Sequence, residues 1–267
     1  MKCLSVLCIS LIAISLMLAG ISDAKIDKKS IMGMWLFNEG KGETAKDSLK
    51  NGTDGKLIDG PNWVKDKFGG ALELDGSDDY VKIESPNIPR GDDPRSIAGW
   101  IMDMGTGGTW GGIIHYGNND CTGLMFGMGK QNGLTFWGGC KDFQTGMVIP
   151  KDKWSFVAVT YDQKNITMWL NGKPSPNSMT NFDTTDSHLF IGAETINNGV
   201  GFRSRFTGLI DEIAIFDVAL TKNDLNTIMK NGLEVATGFR SVSTTGKLTT
   251  IWGQIKKWNG SSTLPQY

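Results

Sequence analysis

The chain has 267 residues, with 27 basic and 28 acidic side chains and a net charge of −1. Its basic residues are scattered, so no cationic stripe exists to draw DNA, RNA or anionic lipid, and those partners are excluded. Thirty-five glycines and nine tryptophans suit many tight turns between short strands that bury or present large rings.

Met1-Lys2 leads into an apolar stretch from Leu4 to Ala19, shorter than a membrane span, with small residues at Ser22 and Ala24. This reads as a secretory signal peptide over residues 1–24. The mature chain is then expected outside the cytoplasm, in a periplasm or at a cell surface, with no membrane insertion after cleavage. Cleavage removes Cys3 and Cys8, and the remaining even pair, Cys121 and Cys140, is expected to form a disulfide in an oxidising compartment. Zinc is a poor rival, because the mature chain cannot place enough further Cys or His ligands nearby.

Further along, apolar and polar residues alternate with the two-residue period of half-buried strands. Strands are expected over 71–75 and 80–83, joined across Gly76-Ser77-Asp78-Asp79, and over 97–102. They resume over 154–161 and 166–170, a hairpin that ends at the turn-forming Asn171-Gly172. Two more follow, over 188–191 and 209–216, the last holding Asp211 and Glu212 among apolar residues. One helix of about two turns is expected: Thr221 caps it, Asp224 completes a capping box, Leu225, Ile228 and Met229 form its stripe, and Asn231-Gly232 stops it. Residues 240–267 form a Ser/Thr-rich tail with one apolar island at Ile251, Trp252, Ile255 and Trp258. No fixed-period repeat is present. The expectation is an all-β, two-faced domain over 25–239.

Between Trp110 and Phe143 aromatic planes mix with short polar groups, including His115, Asn118, Asn119, Asp120, Trp137 and Asp142. Saccharide surfaces need that mixture: a ring covers the C–H face of a sugar, while amides and carboxylates take its hydroxyls. Trp110, Asn118 and Trp137 are the expected ligand-facing residues. Phe136 and Trp137 are neighbours on one strand, so one of them must face the core. The expected bridge between Cys121 and Cys140 lies within the same region.

Four ordered stretches resemble the laminin-G-like jelly roll of bacterial exported proteins, within the concanavalin A-like lectin/glucanase superfamily. They are Gly33-Met34-Trp35-Leu36-Phe37-Asn38-Glu39-Gly40 with the later Asp47-Ser48; Gly69 through Gly76 leading into Asp78-Asp79-Tyr80-Val81; Trp154 through Asp162 with Trp169-Leu170-Asn171-Gly172; and Gly208 through Phe216 with Leu220. The resemblance implies a two-sheet antiparallel sandwich whose first and last strands are adjacent. It also implies a structural calcium where the chain's beginning and end meet, with Asp211 as the leading ligand and Asn38, Gly40 and Asp47 as further ones, since calcium takes six to eight hard oxygens. The alternative is that Asp211 caps a turn and Glu212 faces solvent.

The fold carries lectins, glycosidases and adhesion modules alike. Glu73, Asp75 and Asp78 fall near the carboxylate spacing of related glycosidases, but the last acid is a short Asp in a Gly-Ser turn. No nucleophile elbow or phosphate loop is present, and only His115 and His188 offer imidazole. A non-catalytic glycan or polysaccharide-binding module with calcium is therefore expected. A protein-binding adhesive module, using Trp252 and Trp258, is the alternative, and a glycosidase or lyase comes last.

Overall fold

The alternating segments pair into two antiparallel sheets in the computed structural model, which describes residues 26–239 apart from 67–68, 106–109, 119–120, 139, 177, 180–182, 186 and 197–200. The leader read over 1–24 and the tail over 240–267, with Trp252 and Trp258, lie outside the described residues.

Along its main path the first sheet runs Lys173–Pro174, Asn165–Leu170, Trp154–Tyr161, Arg95–Asp103, Thr207–Phe216, Gly69–Asp75, Asn62–Asp66. Ile31–Trp35 pairs onto Thr207–Phe216, so the first and last long strands are adjacent, as a jelly roll requires. The second sheet runs Lys141–Val148, Gly133–Gly138, Leu124–Met128, Gly111–Tyr116, Leu189–Ile191, Tyr80–Ile83, Gly55–Ile58, Thr44–Ala45. The fold is thus the expected all-β, two-sheet antiparallel sandwich with a C-terminal helix. Among the described residues, no helix is long and apolar enough to cross a membrane.

Strand alternation decides what each sheet buries. From Trp154–Tyr161, Val157, Val159 and Tyr161 join Ile97, Ile101, Ile114, Phe126 and Phe136 between the sheets. Phe156 and Ala158 point the other way, into a second cluster with Met34, Trp100, Phe216 and the helix residues Leu225 and Ile228. This strand is therefore buried on both faces, and its expected period is that of two cores rather than core and solvent.

The helical segment Lys222–Thr237 is two helices that meet at Gly232. Its N-terminus forms as expected: the Thr221 hydroxyl accepts from Asp224 N–H, and the Asp224 carboxylate accepts from Thr221 N–H at 2.9 Å. The expected stop at Asn231-Gly232 is present: Gly232 leaves helical backbone at φ 76° and ψ 164° and ends the first helix, and helical backbone resumes beyond it. Past it, Leu233 N–H donates to Glu212 Oε2 at 3.2 Å, so a carboxylate from the sheet satisfies a donor that the break exposes. Glu212 is accordingly buried and not solvent-facing. Burial pushes its carboxyl up to about 7, the Leu233 N–H opposing.

Arg95, which no sequence pattern singled out, is 1% exposed and pins one end of the sandwich. Its guanidinium donates to the carbonyls of Asp93, Arg90 and Gly91 at 2.8–3.1 Å, and to Tyr116 Oη and Thr184 Oγ1 at 3.1 and 3.0 Å. The 89–93 loop is thereby tied to both sheets.

Candidate functional site

One cross-strand row builds the floor of a cavity on the outer face of the second sheet. His115 stands opposite Met125, Met125 opposite Trp137, and Trp137 opposite Asp142. One position along, Ile114, Phe126, Phe136 and Phe143 form the parallel row that packs into the inter-sheet core. Because the side-chain period is two, the first row faces away from the other sheet. Phe136 is the buried member of the adjacent pair and Trp137 the half-buried one, which settles the ambiguity in the sequence.

The cavity has a volume of about 600 Å³ and draws its walls from three sides. Trp110 and Trp137 meet edge to face, ring centroids 4.6 Å apart and planes inclined at 67°. Trp110 can lie there because Gly129 has no side chain: a Cβ would stand 2.9 Å from its Cζ3. Asn118 and the Cys121–Cys140 disulfide form a second side, the Cα atoms of the bridge 4.5 Å apart. The third side is a hairpin, Ala193–Ile196 with Gly201–Arg205, which brings Glu194, Arg203 and Ser204 over the sheet. It packs closely because Gly112 lies beneath it, where a Cβ would come within 2.8 Å of Ala193 C and Glu194 N.

Trp110, Asn118 and Trp137, expected from sequence, thus line a single cavity, while their neighbours Asn119 and Asp120 lie outside the described residues. His115, one of the polar groups of the Trp110–Phe143 stretch, joins them on the floor, whereas no sequence pattern singled out Glu194, Arg203 and Ser204. Nothing local marks those three. They arrive through a hairpin about 80 residues away, and only the sheet order brings them in.

His115 is 2% exposed, and its Nδ1 accepts from Thr195 N–H at 3.4 Å. Thr195 Oγ1 lies 3.3 Å from the same nitrogen, and with the backbone N–H donating to Nδ1 the ring proton is assigned to Nε2, on the side of Gly123, another lining residue. Burial, with Arg203 nearby, lowers the imidazole to about 4, so it is a neutral donor at ordinary pH.

Two of the residues read as calcium ligands accept backbone hydrogen bonds. Asp47 accepts from the N–H groups of Met34, Leu49 and Thr53 at 3.0–3.2 Å, and Asn38 Oδ1 from Gly70 N–H at 2.9 Å. Gly40 is exposed at φ 68°, and Asp211 is buried at a bulge opposite Trp100. Among the described residues, the acidic group whose ligand atoms lie within 4.8 Å of one another is Asp75, Asp78 and Asp79. Asp75 Oδ1 accepts from Ser77 N–H at 2.7 Å, and Asp79 Oδ2 from Asp75 N–H at 3.0 Å, so these acids organise their own turn.

A family model described as the concanavalin A-like lectin/glucanases superfamily matches residues 75–226. The chain belongs to this superfamily. No curated protein sequence matches it. Among solved structures, its superfamily fold is similar to domain 4 of AbnA, a GH43 extracellular arabinanase from Geobacillus stearothermophilus, in complex with arabinotriose, at 18% identity and TM-score 0.59, covering 75% of this chain and 98% of that one. It is also similar to the binding domain of Paraclostridial Mosquitocidal Protein 1, at 16% identity and TM-score 0.62, covering 76% of this chain and 52% of that one. A third similar structure is Trypanosoma rangeli sialidase in complex with sialic acid, at 13% identity and TM-score 0.56, covering 75% of this chain but 33% of that one. At these identities the likeness is one of fold, which enzymes and binding domains share.

Proposed function

We propose that this chain is an exported, non-catalytic module that binds a saccharide in the cavity floored by His115, Met125 and Trp137. One observation carries the reading: two tryptophan rings at a steep angle stand on the same floor as a neutral imidazole donor and beside Asn118 and Asp142. The rings cover the apolar face of a sugar and the polar groups fix its hydroxyls, dividing affinity from orientation. The disulfide holds two of the walls in place before ligand arrives, which lowers the ordering cost of binding. The arabinotriose complex of the similar arabinanase domain agrees with this reading.

Retention on immobilised oligosaccharides tests it. Wild-type protein is retained on at least one glycan, and Trp137→Ala loses about 2 kcal/mol of affinity, roughly 30-fold, while staying folded. Full retention by folded Trp137→Ala would remove this cavity as the site. A second reading is a module whose partner is a protein; one similar structure is the binding domain of a mosquitocidal protein. That reading requires no retention on any glycan together with capture of a protein. A structural calcium led by Asp211 is a separate proposal, and an identical melting midpoint in excess calcium and in chelator would end it.

A further inference from the structure

The charged groups around the cavity say what kind of saccharide fits it. Glu194 and Arg203 stand opposite each other in the overhanging hairpin. Arg203 Nε donates to Glu194 Oε1 at 2.9 Å, Nη2 lies 2.8 Å from the same oxygen, and Ser204 Oγ donates to Oε2 at 2.5 Å. The Glu194 side chain is only 10% exposed, so this pair is anchored at the carboxylate end. Arg203, whose side chain is 55% exposed, thus commits two of its guanidinium nitrogens to Glu194.

Asp142 brings a second carboxylate to the cavity rim, and His115 brings none of the positive charge an imidazole could supply. Among the described lining residues, two carboxylates thus face one guanidinium, and that guanidinium is engaged by one of them. Sugar hydroxyls suit such a lining, because each can donate to a carboxylate or amide oxygen and accept from His115 Nε2–H or the Asn118 amide. A sugar carboxylate can only accept. It would meet net negative charge in a partly enclosed site, where like-charge repulsion is less screened than in open water.

We infer that the cavity selects uncharged saccharides and discriminates against uronate- and sialate-bearing ones, with Glu194 as the residue that sets the choice. The inference rests on the saccharide-binding reading of the same cavity. Glu194 acts by neutralising Arg203 and adding its own rejection of anions, so selectivity here comes from a repulsive element as much as an attractive one.

The experiment compares wild type and Glu194→Gln on neutral arabinose-, glucose- and mannose-based oligosaccharides beside sialylated and polyuronate ones, at low and high salt. Wild type is expected to prefer neutral glycans by about tenfold or more, a preference that narrows as salt screens the repulsion. Glu194→Gln, folded by circular dichroism, is expected to gain about tenfold on acidic glycans, because Arg203 is released. Equal or stronger wild-type retention on acidic glycans overturns the inference, and that comparison needs no variant. A folded Glu194→Gln that gains nothing on acidic glycans removes Glu194 from the role. Absence of retention on every glycan overturns the saccharide reading itself, and the selectivity with it.

Discussion

His115 links the site to stability, and the link has a sign and a size. The imidazole ionises at 6.5 when exposed and at about 4 in the folded chain, chiefly because burial disfavours its charged form. As pH falls below 6.5 the unfolded chain takes up a proton that the folded chain refuses until about 4. The folded state is then the one losing ground, so stability declines across that window and is unaffected above it. At about 1.4 kcal/mol per pH unit, the gap between the two values corresponds to about 3 kcal/mol lost by pH 4. The perturbation that isolates this contribution is His115→Gln. Its amide can still accept from Thr195 N–H and donate toward the cavity, but it does not titrate. Chemical denaturation of both proteins at pH 7.5, 5.5 and 4 measures the difference. The stability of wild type relative to the variant should fall by about 3 kcal/mol between the first and last conditions, most of it below 6. A difference that stays constant with pH would refute the burial argument. It would also withdraw the claim that the ring stays a neutral donor in acid.

Three other outcomes follow from the packing. Replacing both Cys121 and Cys140 with serine opens a loop closed over a separation of 19 residues. That should cost about 3 kcal/mol, roughly 6–12 °C in melting midpoint for a domain of this size, along with weaker saccharide retention. Thr221→Ala removes the acceptor for Asp224 N–H, and denaturation should show a loss of about 1 kcal/mol. Arg95→Met leaves the 89–93 carbonyls and Tyr116 Oη without their guanidinium donor, and the loss of stability should reach about 3–5 kcal/mol, with the 89–93 loop newly open to protease.

Much of this molecule is legible in one dimension because strand alternation and turn chemistry are local. The Trp154–Tyr161 and Tyr80–Ile83 strands and the Thr221 capping box follow from side-chain period and from short-range hydrogen bonds alone. The jelly-roll order does not, and it was readable only through resemblance. The second helical stretch, past Gly232, shows where locality stops. Asn231-Gly232 is a genuine break, yet Glu212, twenty-one residues earlier, catches Leu233 N–H and lets the chain turn helical again. A buried carboxylate on a strand gives no sign in sequence of which donor it will meet.

The site divides along the same line. The sequence by itself determined that Trp110, Asn118 and Trp137 lie in a region rich in rings and short polar groups that also holds Cys121 and Cys140, because composition and spacing are properties of the chain. Only the tertiary structure decided that Trp137 and not Phe136 faces the cavity, because burial depends on which face of the sheet meets the other sheet. It also decided that His115 joins the floor and that Glu194, Arg203 and Ser204 close the third side. Those residues meet through cross-strand register and the packing of a distant hairpin over Gly112, relations that no local pattern encodes.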